Sequence, residues 1–64
     1  MLTDWELWAV ANHLVEEHGE GARGFAAMRR DALAAARDRA GAEAWDLIIE
    51  RIQQLQAKPS GALQ

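Results

Sequence analysis

The sequence predicts an all-α fold, a small domain of three helices joined by short loops. Three observations carry that expectation. Large apolar side chains recur at helical spacing in three separate stretches, the first stretch opens on a capping box, and the third carries Trp, Ile and Leu along one face. The chain has three Trp, one Phe and fourteen other large apolar residues, and these stripes use up most of them. Little is left to spell out chemistry.

The first helix is expected from about Asp4 to His18. Thr3 and Glu6 make the T-x-x-E pair in which each side chain takes up an orphan backbone N–H, and Leu2 and Leu7 occupy the staple positions. Asp4 adds negative charge where the helix dipole favours it, and Gly19 can adopt the left-handed conformation after His18. At about 100° per residue, Val10, Leu14, Leu7, Ala11, Val15 and Trp8 sweep one arc, with Glu6, His13, Glu16 and Glu17 opposite. Two residues break the division. Trp5 projects beside Asn12 and Glu16 on the polar side, so it either lies over a neighbouring segment or anchors a contact, a role in which Trp is enriched. His18 points into the apolar arc, where it either helps to close the helix or has a functional role. His13 and His18 stand roughly 140° apart and cannot share a metal ion, and His13 with Glu17 reads as a surface pair.

Gly19-Glu20-Gly21 reads as a short flexible link. Phe25, Met28, Ala32, Leu33 and Ala36 make the next stripe, flanked by Ala22, Ala26 and Ala40, whose small side chains suit close helix packing. Arg23, Arg30 and Arg37 form a row at seven-residue intervals on the other edge. The row reads as a solvated face paired with carboxylates of the other helices, or, more sharply, as a contact for phosphate or an acidic partner. Arg29 points within the apolar arc and is expected to snorkel towards a carboxylate.

Two placements of the next break stay open. Gly41 ends the second helix, or Asp38 caps the third with Arg37 acting as the left-handed residue before it. Beyond the break, Trp45, Ile48, Ile49, Ile52 and Leu55 make the strongest stripe, while Leu47 falls outside it and is expected to be exposed. The core is expected around Leu7, Leu14, Phe25, Leu33, Trp45, Ile48, Ile49 and Ile52. Residues 1–57 are expected to form one domain, with 58–64 expected to be a disordered C-terminal tail from Lys58-Pro59-Ser60-Gly61 onward. The alternative fold has helices two and three nearly continuous, completed by a second chain.

The pattern Glu6-Leu7-Trp8-Ala9, His18-Gly19, Arg23 and Phe25, Arg29, Ala32-Leu33-Ala34, Asp38, Ala40-Gly41, Trp45, Ile48 and Arg51 resembles a family of small bacterial proteins of unknown function. The resemblance runs from residue 6 to about 55. That family carries Gly-Asp where this chain has Arg37-Asp38, which favours the break at Asp38 and makes Arg37 a strained substitute for glycine. It implies no activity, but it draws attention to His18, Arg29, Trp45 and Arg51.

Composition narrows the function classes. At 64 residues the chain is near the lower end of what folds alone, and fourteen of its apolar residues are Ala, so the core is thin. Without Cys there is no disulfide, thiolate metal site or Cys nucleophile, which is compatible with the cytoplasm. No signal peptide or membrane span is expected, and neither is a cofactor. Thr3 and Ser60 are the only hydroxyl side chains, no Gly-rich loop follows a strand, and three short helices are expected to enclose less than the roughly 300 Å³ of a usual ligand pocket. An enzyme is therefore not expected.

Two classes remain. The first is a protein–protein interaction module, self-associating as a homodimer or serving another protein, with Trp5 and Leu47 at the interface. The second is a helix-turn-helix-like nucleic-acid-binding regulator with Arg23, Arg30 and Arg37 on phosphates. A net charge of −3 and acidic Glu43 and Asp46 in the early turns of the third helix place it second.

Overall fold

A computed structural model describes residues 2–57, and the expected tail falls outside them. Every regular element is helical: α1 (Asp4–His18), a 3-10 turn (Gly19–Gly21), α2 (Ala22–Ala35) and α3 (Arg39–Gln56).

The expectation of three helices separated by short loops is corrected. α1, the 3-10 turn and α2 abut with no non-helical residue between them, so the described chain holds two helical stretches, 4–35 and 39–56. The supposed flexible link is itself helical. Gly19 donates its N–H to Val15 O, and Ala22 donates to Gly19 O, so the hydrogen-bond ladder passes through the glycines. Gly19, at φ 57° and ψ −128°, turns the chain there without ending the helical run. The alternative of near-continuous second and third helices also fails, because Ala36 to Asp38 interrupt them.

That interruption settles the placement at Asp38. Arg37 N–H bonds Ala34 O and Asp38 N–H bonds Leu33 O, the pair of bonds that defines a Schellman stop. Its left-handed position is Arg37, at φ 64°. Asp38 then caps α3, its Oδ1 accepting from Gly41 N–H at 2.9 Å. At the other terminus, Thr3 and Glu6 form the complete capping box.

α3 packs against both arms of the first stretch. Arg30 of α2 meets Asp46, Ala34 lies across a cleft from Ala42, and Arg23 lies across another from Gln53, so α2 and α3 run antiparallel. Leu7, Ala11, Leu14, Ala22, Ala26, Ile48 and Ile52 form the buried core, with Val10, Val15, Phe25, Trp45, Ile49 and Leu55 half-buried around it. Leu33 is half-buried as well.

The stripe expected on α2 is turned from its true inner face. Ala22 and Ala26, read as flank, are fully buried, whereas Met28 is 63% exposed and Ala32 and Ala36 are exposed. Small side chains let the α3 backbone come close, and close approach on the alanine side leaves the bulkier side out.

Candidate functional site

Four groups of side chains stand out among the described residues. The first is built on Arg51, which only the resemblance singles out. Its guanidinium carbon lies 5.1 Å from the centre of the Trp8 ring, and its Nη2 pairs with Asp4 Oδ1. Its Nη1 lies 3.5 Å from Glu50, and its Nε is buried with no hydrogen-bond partner among the described residues. With a side chain only 18% exposed, it closes the seam between α1 and α3 by packing as much as by charge. Asp4 thus has two uses, favouring the α1 dipole and holding α3.

The arginine row does not form as one array. Arg30 lies 3.0 Å from Asp31 and 3.2 Å from Asp46, and those hydrogen bonds, Asp31 first, raise its pKa above the ordinary arginine value. Arg23 is exposed and lines a cleft with Glu20, Gln53 and Gln56. Arg37 lies past the end of α2, with a left-handed backbone that takes it out of the row. Neither Arg23 nor Arg37 makes an ion pair to another described residue, so only one of the three arginines is neutralised. Arg29 is exposed and likewise makes no such ion pair, so the expected snorkel to a carboxylate is not seen.

His18 is exposed, and its ring stacks on Phe25 at 4.4 Å between centroids, with Trp45 edge-on to Phe25 at 6.5 Å. The stack fastens the end of α1 to α2, and Gln56 Nε2 donates to Gly19 O from α3. His13 lies 3.6 Å from Glu17 on the exposed face of α1. Among the described residues no group of three His, Cys, Asp or Glu could hold a metal ion, and no helix is long and apolar enough to cross a membrane.

The fourth group is apolar. Trp5 is 75% exposed, Leu47 46% and Leu2 38%. Leu2, Leu7, Ala40, Glu43, Ala44 and Leu47 line a groove of about 290 Å³ between the start of α1 and the first half of α3. Three further surface clefts measure about 300, 320 and 400 Å³. These are open surface clefts at the helix ends rather than enclosed cavities, and their volumes lie close to that of a usual ligand pocket. Leu47 is legible as exposed because it leaves its helix's stripe. The groove is not, since its walls come from residues about forty positions apart.

A family model described as a family of unknown function, DUF6961, matches residues 3–60. The chain belongs to that family. The matched span includes every helix described above, so the whole helical arrangement lies within the family's domain. No curated protein and no solved structure matches the chain.

Proposed function

We propose that this DUF6961 domain is a non-enzymatic protein–protein interaction module that self-associates, in the cytoplasm of a bacterium. The observation that carries the reading is the exposure of large apolar side chains, Trp5, Leu47 and Leu2, that the described fold leaves in water. The core supports it from the other side. Three of the seven buried residues are alanines, so burial within one copy is modest for a chain of this length. Covering a Trp and a Leu yields several kcal/mol at about 25 cal/mol per Å², comparable to the whole stability of a small domain.

The nucleic-acid reading finds less support. Arg30 is held by two carboxylates, and Arg37 is displaced from the line that Arg23 and Arg30 would present. Sedimentation and light scattering from micromolar to about millimolar concentration test the proposal. A dimer mass and a melting temperature that rises with concentration are expected. A chain that stays monomeric at about 1 mM, where association is worth only about 4 kcal/mol, refutes it. Binding to any duplex that weakens steeply with salt would favour the arginine reading instead.

A further inference from the structure

The groove between the start of α1 and the first half of α3 carries its own projection. Leu47 is one of its walls and stands 46% exposed, while Ala40 and Ala44 of the same helix leave the space beside it open. These three residues follow one another at intervals of four and three, so they share one face of α3. Arg51, which pairs with Asp4 of α1, lies on one side of Leu47. Arg39, Glu43 and Glu50, spaced by four and seven residues, line the other side. All three of these charged residues are exposed. Arg39 and Glu43 make no ion pair to another described residue, and Glu50 has a 3.5 Å contact with Arg51 beside it. The face is therefore an apolar strip with a knob and a recess, bordered by one edge that carries both signs of charge.

We infer that this face of α3 packs antiparallel on the same face of a second copy, about a two-fold axis level with the junction of Ala44 and Trp45. The inference rests on the self-association proposed above and gives it a surface and a register. A two-fold axis perpendicular to both helices reverses their direction and keeps each edge on its own side, so the two charged edges meet. With the axis at that level, two separate requirements are met together. Leu47 of one copy comes level with the midpoint between Ala40 and Ala44 of the other, where the recess is. Arg39, about 8 Å along the helix from the axis, comes directly level with Glu50 of the other copy. The leucines carry the affinity, and the exposed ion pairs fix the register. Glu43 opposes the arrangement, because its two copies lie within about 5 Å of each other along the helix direction. Trp5 lies about 160° round α1 from Leu7, a wall of the groove, and takes no part. A contact of one helix face is at the small end of protein interfaces, so dissociation in the micromolar range is expected.

A charge exchange tests the register. The full chain, Arg39→Glu, Glu50→Arg and an equimolar mixture of the two variants are compared by sedimentation and native mass spectrometry at low salt, with circular dichroism confirming helical content. Each variant alone sets like charges against each other twice across the axis, so its dimer Kd should rise roughly fivefold or more. In the mixture, one chain carries Glu at both positions and the other Arg at both, so both pairs are complementary again. A heterodimer close to wild type in Kd should therefore dominate, and its advantage should shrink as salt is added. Glu43→Gln removes the repulsion at the axis and should tighten the dimer, while Trp5→Ala should leave the Kd unchanged. If wild type dimerises but the mixture gives only a statistical share of heterodimer, or Trp5→Ala abolishes the dimer, this geometry is overturned and self-association stands. A wild-type monomer at about 1 mM overturns both.

Discussion

The chain changes direction twice, and the two junctions solve the same backbone problem with different residues. At Gly19 the chain takes φ 57° and ψ −128°, and the helical hydrogen bonds carry on through the 3-10 turn. At Arg37 it takes φ 64°, and the Schellman bonds close α2 before Asp38 starts α3. The first junction bends a helical stretch and the second ends one. Left-handed φ alone therefore does not decide whether a helix stops. The residues next in the chain decide it: Gly19 leads into Glu20-Gly21-Ala22, which continue the helix, whereas Arg37 leads into a carboxylate that accepts from Gly41 N–H. The contrast can be broken at each residue in turn.

Gly19→Ala should have the largest effect. A Cβ there meets no atom within 4 Å, so the cost is conformational, not steric crowding. That φ and ψ combination belongs almost wholly to glycine, and forcing another residue into it costs about 1–3 kcal/mol. For a domain of this size the melting temperature should fall by roughly 4–8 °C per kcal/mol. A loss below about 0.5 kcal/mol would mean that the bend relaxes and that Gly19 does not fix the angle between α1 and α2.

At the second junction the signs are opposed. Arg37→Gly relieves a left-handed residue that has a Cβ, and glycine's greater freedom in the unfolded chain returns part of the gain, so a net stabilisation of about 0.5–1 kcal/mol is expected. Asp38→Ala removes the cap and should destabilise by about 1 kcal/mol. Thermal unfolding of both variants reads the pair. Arg37→Gly lowering the melting temperature would show that strain at this position is already offset by contacts of the arginine side chain.

These junctions also show how far the sequence can be read. Thr3, Glu6 and Asp38 act on backbone groups within four residues of themselves, so their roles are visible in local spacing. Local spacing offers Arg37 as a left-handed residue in one of two placements of the break, and a resemblance to chains with glycine there favours that one. The inner face of α2 is hard to read because alanine gives a weak hydrophobic signal: Ala22 and Ala26 are buried while the more conspicuous Met28 is exposed. The helical nature of Gly19–Gly21 is hidden because two glycines in three residues look like a link. The Arg51–Trp8–Asp4 seam joins residues more than forty positions apart, and the Leu2–Leu47 groove likewise spans α1 and α3. Such pairings belong to tertiary packing, which no local pattern encodes. The exposure of Trp5 and Leu47 is readable because it needs only each helix's own period.

The smallest expected effect tests how tightly the cap at Asp38 is tied to the residue beneath it. A Cβ on Gly41 would lie 2.7 Å from Asp38 Oδ2 and 3.1 Å from Leu33 Cδ1. Gly41→Ala therefore sets two effects against each other. Helical backbone prefers Ala over Gly by at most about 1 kcal/mol, the interior value, and Gly41 sits in the first turn, while the carboxylate must move and weaken its bond to the Gly41 N–H. The net change in the wild-type background should lie close to zero. With Asp38→Ala already in place the carboxylate is gone, Leu33 can yield through its flexible end, and the same substitution should stabilise. A double-mutant cycle should then show a coupling of about 0.5–1 kcal/mol between the two positions. Additivity within about 0.3 kcal/mol would mean that the carboxylate shifts without loosening its hydrogen bond. Glycine at position 41 would then serve the approach of Leu33, and the α2 stop would be set by Arg37 and Asp38 without it.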